Sequence, residues 1–175
     1  WLGSEASTPL HSAVNNNLIY HTHAEKIDFA EAVTYARKTG VPALMKLDFQ
    51  KRAGVLKALA LYLMERKEEL YEISHLTGAT RADSWVDVEG GIGTLFAYAS
   101  MGSRELPSSN VLHEGPALAL GKRGGFAGTH ILVPRGGLAV HINAFNFPVW
   151  GMLEKFAPSF LAAMPCIGKP ATATS

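Results

Sequence analysis

Cysteine is nearly absent. Cys166 stands alone in 175 residues, so no disulfide can form within the chain, and a reducing, cytoplasmic compartment is expected. A dominant sign of charge is missing too: Lys plus Arg number 16 against 15 Asp plus Glu, mixed along the chain, for a formal charge of +1. That balance excludes the basic footprint of a nucleic-acid binder. No apolar run reaches the roughly 20 residues that span a bilayer, and the opening WLGSEASTPL lacks the basic-then-apolar layout of a signal peptide. Neither nucleic acid nor a membrane is expected as a partner. What the chain does have is 47% hydrophobic residues, enough to bury a sizeable core in one domain or slightly more.

The pattern along the chain is mixed α/β. Short apolar runs on either side of Asn15, Asn16 and Asn17 read as a β-hairpin, because Asn tolerates the positive φ of a tight turn. Asp28 stands where an N-cap would precede a helix over 28–39, and Gly40 where a C-terminal glycine would end it. Asp48 is placed to cap a long amphipathic helix to about Thr77, with Leu56, Leu59, Leu63 and Leu70 opposite Lys51, Arg52, Lys57, Glu65 and Glu68. A further helix follows through TRADSWVDVEGGIGTLFAYASMG, its apolar face formed by Trp85, Val88, Ile92, Leu95, Phe96 and Tyr98. The GGIGT within it lacks the third glycine and the strand-to-helix setting of a phosphate loop, so close helix packing is the expected use of its glycines. Pro, Ser and Gly make 106–125 read as a connecting loop. Strands are expected in AGTHILVPRGG and GLAVHINAF, on either side of Pro134, then a helix over 148–163 and a short strand in PCIGKP. The last three elements form a βαβ unit with a parallel strand pair.

The stretch HINAFNFPVWG raises a chemical question. Pro148 suits the first helical position, which leaves Asn146 and Phe147 in the loop at the carboxyl end of a strand, where open α/β sheets bind ligands. Asn146 either caps the helix, or offers its NH2 group to an oxygen that becomes negative, at a helix N-terminus that also favours negative charge.

INAFNFP followed by GKPA resembles the aldehyde dehydrogenase superfamily, and the likeness extends over nearly the whole chain. TGATRADSWVDVEGGIGTLFAYAS, HINAFNFPVWGMLEK and KPATAT are most similar to the dehydrogenase half of the bifunctional ring-cleavage enzymes of bacterial phenylacetate catabolism. The semialdehyde dehydrogenases of the benzoyl-CoA epoxide route are near relatives. The resemblance implies an aldehyde substrate, a CoA-linked semialdehyde, oxidised through a thiohemiacetal. It implies the N-terminal part of that fold: hairpin and helices over 1–125, an oligomerisation strand segment at 126–137, and the start of a Rossmann-like cofactor core at 138–175. It implies Asn146 as the oxyanion donor, with Ile142, Asn143, Ala144, Phe145, Lys169, Ala171 and Thr172 binding the cofactor, and a homo-oligomer whose strand arm joins a neighbour's sheet. Phe145 stands where a Trp is common.

Thr172 departs from the family pattern, for many NAD-dependent members carry there a Glu that takes both ribose hydroxyls. Without a carboxylate beside Lys169 a 2′-phosphate is tolerated, so NADP is the expected cofactor, with NAD the alternative. Thr172, Thr174 and Ser175 read as phosphate-side hydroxyls and equally as N-caps of a following helix. The family's nucleophilic cysteine and general-base glutamate lie downstream of the Lys-Pro motif, so these residues are expected to be an N-terminal portion, inactive alone, within a whole protein that carries both groups and is open to fusion with a hydratase-like hydrolase. A non-catalytic module that binds nucleotide or a partner is the rival reading. Cys166 lies in an apolar strand and reads as structural. No metal is expected, because His11, His21 and His23 lack completing ligands.

Overall fold

The computed structural model describes residues 8–23 and 27–175. Strands β1 (Thr8–His11) and β2 (Leu18–Thr22) form the expected antiparallel hairpin. Its turn relies on Asn16 at φ 60° and on Asn15, whose Oδ1 accepts from the Asn17 N–H at 3.0 Å. Asp28 caps α1 (Phe29–Tyr35) by accepting from the Glu31 N–H at 2.9 Å. Gly40 does not end that helix. The chain continues through a π-helical turn (Ala36–Gly40) into α2 (Val41–Met45), and Gly40 stays right-handed at φ −63°. Its small size answers a packing need instead: a Cβ there would lie 3.0 Å from Cγ of Pro165.

Asp48 caps α3 (Phe49–Glu65) through the Lys51 N–H at 2.8 Å. The long helix expected to Thr77 breaks at Arg66, so that α4 (Lys67–Leu76) is re-aimed to lay Tyr71 and Ser74 against α5 (Arg81–Arg104). There Ser84 Oγ donates to Ser74 Oγ at 2.9 Å, and Tyr71 Oη donates to Glu89 at 2.7 Å. Burial together with that neighbouring carboxylate pushes the Tyr71 hydroxyl up to about 12. A Thr80–Asp83 capping box starts α5.

The core is the seam where α5 packs between α3 and α6 (Pro148–Leu161), and its centre is Ala53, Leu56, Ala60, Val88, Ile92, Leu95, Ala99, Ala157 and Leu161. Fully burying each Leu or Ile there contributes roughly 1.5–3 kcal/mol. Close approach requires glycine at two points. A Cβ on Gly91 would meet Cα of Trp150 at 2.9 Å, and one on Gly102 would meet Cβ of Ala53 at 2.8 Å. The packing role expected for GGIGT holds for Gly90 and Gly91, while Gly93 faces open space. Trp85 is 56% exposed rather than part of the seam, because the stripe runs through the small and polar Ser84, Asp87 and Gly91 and leaves Trp85 on the flank.

The stretch 106–125 is not all loop. It contains β3 (Leu112–Leu120), which pairs antiparallel with β4 (Phe126–Leu132). The glycines that signalled a loop sit where the hairpin bends: Gly115, at φ 85°, lies in the register irregularity between Glu114 and Leu118, and Gly121 and Gly124 in the turn. The strands on either side of Pro134 do not pair with each other. β5 (Ala139–Ile142) pairs in parallel with β6 (Cys166–Lys169), with α6 as the connection, which is the expected βαβ unit. Cys166 lies within β6, half-buried, and burial raises its thiol pKa, as suits an inert side chain. Among the described residues, no helix is long and apolar enough to cross a membrane.

Candidate active site at the carboxyl end of the parallel pair

Alternation along β5 gives its two faces different work. His141 is buried against α6, where Nε2 meets Ser159 Oγ at 3.0 Å, and burial followed by the nearby Lys155 charge holds its imidazole below the usual histidine range. Val140 and Ile142 on the other face are 64% and 71% exposed. The strand ends with the Asn143 N–H donating to the Lys169 carbonyl at 3.0 Å, which ties the tips of β5 and β6 together. The chain then turns through Ala144, Phe145 and Asn146 and enters α6 at Pro148, in the first helical position expected for it.

Asn146 is not the helix cap. Phe147 occupies the N-cap position without a side-chain bond, and the first turn of α6 is served from another helix: Asp87 of α5 accepts from the Val149 N–H at 3.2 Å and the Trp150 N–H at 2.7 Å. Pro148 has no N–H, and the Gly151 N–H bonds the Phe147 carbonyl at 2.9 Å, so the donors at this helix start are taken. The positive end of α6, expected to assist a developing oxyanion, holds a carboxylate instead. Asp87 is 2% exposed; burial raises its pKa and the two N–H bonds oppose that rise. The other end of α6 is anchored as well. Arg52, fully buried on α3, donates from Nε to the Leu161 carbonyl at 2.8 Å, so a cation meets the carbonyl end and an anion the amide end. Sequence reasoning placed Arg52 on the solvated face and did not single out Asp87. The available signal for Asp87 was a carboxylate in helical register with the apolar Val88, Ile92 and Leu95 of α5.

The expected site residues gather around this turn. Asn146 is exposed, and its amide makes no hydrogen bond among the described residues. Phe145 (66% exposed) flanks it with open apolar surface, as does Ile142, and Ala144 is also exposed. Asn143 is 5% exposed, and among the described residues neither its amide oxygen nor its amide nitrogen has a partner. Lys169 is exposed at the tip of β6; beyond it Ala171 is half-buried and starts a 3₁₀ turn (Thr172–Thr174) on which Thr172 is exposed. Thr174 and Ser175 face elsewhere: they line an apolar cavity of about 350 Å³ with Leu10, Ile19, Pro148 and Val149.

The family model for the aldehyde dehydrogenase family matches residues 1–175. The chain belongs to the aldehyde dehydrogenase family. A curated relative, the 3,4-dehydroadipyl-CoA semialdehyde dehydrogenase of Aromatoleum evansii, is 40% identical over 177 residues, covering 100% of this chain and 34% of its own length. Among solved structures, the fold matches betaine aldehyde dehydrogenase of Staphylococcus aureus in complex with NAD+, at TM-score 0.80 and 16% identity over 99% of this chain and 34% of that one. It also matches an NADP-dependent enzyme of E. coli, at TM-score 0.78 and 19% identity over 99% and 35%. The aldehyde dehydrogenase chain described here thus spans about a third of the relatives it matches. At these identities the solved structures establish the shared fold, with its N-terminal helices and opening βαβ unit.

Proposed function

We propose that the whole protein oxidises a CoA-linked semialdehyde to the acid, with NADP as hydride acceptor and Asn146 as the side-chain donor to the oxyanion. The observation that carries this reading is the 40% identity, across all of this chain, to a dehydrogenase named for 3,4-dehydroadipyl-CoA semialdehyde. The geometry supports it: Asn146 presents an unengaged amide at the carboxyl end of β5, beside a helix start that needs nothing from it. As the tetrahedral intermediate forms on the family's downstream cysteine, the Asn146 NH2 donates to the oxygen that gains charge. Phe145 and Ile142 provide apolar surface beside it.

The nicotinamide group, when bound, accepts hydride. The residues present fit such a cofactor. The Lys169 ammonium is exposed at the strand tip and has no partner among the described residues, so it can meet a ribose hydroxyl or phosphate; exposed Thr172 adds a hydroxyl without a repelling carboxylate, and the amide of buried Asn143, orphaned among the described residues, supplies a donor and an acceptor beneath the turn. Ala144 and Ala171 contribute backbone groups and no bulk.

The activity is tested by incubating the whole protein with 3,4-dehydroadipyl-CoA semialdehyde and either nicotinamide cofactor, and following the reduced cofactor by absorbance. Oxidation of simple aldehydes alone sinks the substrate reading; no oxidation of any aldehyde sinks the activity. Thr172→Glu is expected to shift the ratio of kcat/KM values from NADP toward NAD by roughly tenfold or more, since a carboxylate binds ribose hydroxyls and repels the 2′-phosphate. A wild type that already prefers NAD removes the argument from Thr172.

Assembly follows from the β3–β4 hairpin, which forms the oligomerisation arm in this reading. Its strands are exposed along almost their whole length, including Leu118 (62%), Phe126 (68%) and Ile131 (51%), with Val133 (59%) just beyond. Such an apolar edge needs cover, and addition to a neighbouring subunit's sheet supplies it. The whole protein is expected to sediment as at least a homodimer, and a variant with Ile131→Lys and Val133→Lys as a smaller species. A wild type that runs as a monomer at micromolar concentration refutes this.

A further inference from the structure

The helix caps reveal an asymmetry. α1, α3 and α5 are capped locally, by Asp28, Asp48 and Thr80 at their own N-cap positions. α6 has Phe147 there, and its first-turn N–H groups are held by Asp87, more than sixty residues away in sequence. Burying a carboxylate is costly unless it is well bonded, and no cation pairs with Asp87 among the described residues. A Ser or Asp at position 147 would cap α6 at lower cost.

The remote cap has a consequence for the neighbouring amide. Asn is among the strongest N-capping residues, and Asn146 stands one residue before the N-cap. With the Val149 and Trp150 N–H groups unbonded, the Asn146 side-chain oxygen would be drawn onto them, turning its NH2 group away from the open end of the sheet. Asp87 occupies those donors first. The fit around it is tight: a Cβ on Gly90 would lie 2.9 Å from Cε3 of Trp150, so α5 grips Trp150 through the segment that carries the carboxylate. The exit angle of the turn over 143–147 is therefore set by α5 as well as by β5.

We infer that Asp87 is a positioning residue for Asn146, keeping the Asn146 amide out of the helix cap and available as a hydrogen-bond donor. The inference rests on the catalytic role proposed for Asn146. Its test separates the two. In the whole protein, Asp87→Asn keeps the shape but turns an NH2 group toward an N–H donor. kcat is expected to fall roughly 10- to 100-fold, as misplacement of a catalytic group does, while cofactor KM changes little. Combining Asp87→Asn with Asn146→Ala is expected to be no slower than Asn146→Ala alone, because one residue acts through the other. Losses that multiply overturn the inference. A crystal structure of the Asp87→Asn protein reads the geometry without activity: the Asn146 amide is expected to move toward the Val149 and Trp150 N–H groups, and an unmoved amide overturns the inference even where no aldehyde is oxidised. Should Asp87→Asn not fold, Asp87→Glu, which keeps the charge but displaces it, carries the same measurements with the same outcomes.

Discussion

Replacing Asn146 with Ala in the whole protein is expected to lower kcat by roughly 10² to 10³, the usual cost of losing one oxyanion donor, with little change in cofactor affinity. The size follows from what surrounds the turn. The N–H groups of Val149 and Trp150 are bonded to Asp87, and that of Gly151 to the Phe147 carbonyl, so these three donors are not available to take over. Asn146 is not the cap of α6, so its loss leaves the helix intact, and folding and thermal midpoint should be nearly those of the wild type. Single-turnover measurement with chemistry rate-limiting checks the prediction. An unchanged rate would falsify the oxyanion role and leave Asn146 an exposed loop residue.

The second large effect concerns stability. Arg52 is fully buried: burial lowers its pKa, the Asp48 charge opposes that, and its guanidinium is held by carbonyl oxygens of Leu44, Leu47 and Leu161 and by Asn110 Oδ1, over the Phe49 ring at 4.9 Å. It joins the end of α2, the segment before α3, the end of α6 and the loop before β3. Arg52→Ala strands those acceptors away from water and opens a cavity beside Phe49. The expected cost is about 3–5 kcal/mol, the range for breaking a buried charged network by removing one partner, read as a lower urea midpoint of the whole protein. Arg52→Lys should recover only part of it, because one ammonium cannot replace a planar fork aimed at several carbonyls. A loss below about 1 kcal/mol would show that the carbonyls find other partners.

Local rules made parts of this site legible. The Asn turn, Pro148 at the first position of α6, and Lys169 at the end of the next strand depend on short-range chemistry, and the structure places them together at one end of the parallel pair. Asp87 escaped because its partners lie on an element more than sixty residues later, and nothing near it in sequence marks it as a cap. β3 was hidden for a related reason. Its Gly and Pro residues look like loop, and only pairing with β4 makes the stretch a strand.

The sequence by itself determined the family, the βαβ unit, the hairpin at Asn16 and the caps at Asp28 and Asp48, because each rests on residues a few positions apart whose preferences agree. Only the tertiary structure decided that Arg52 is buried, that the helix from Asp48 breaks at Arg66, that Gly40 serves packing against Pro165, and that a carboxylate from α5 takes the first N–H groups of α6. The physical reason is shared. A charged or small residue gives the same local signal whether it meets water or the end of a distant helix, and which it meets is fixed only when α3, α5 and α6 pack against one another.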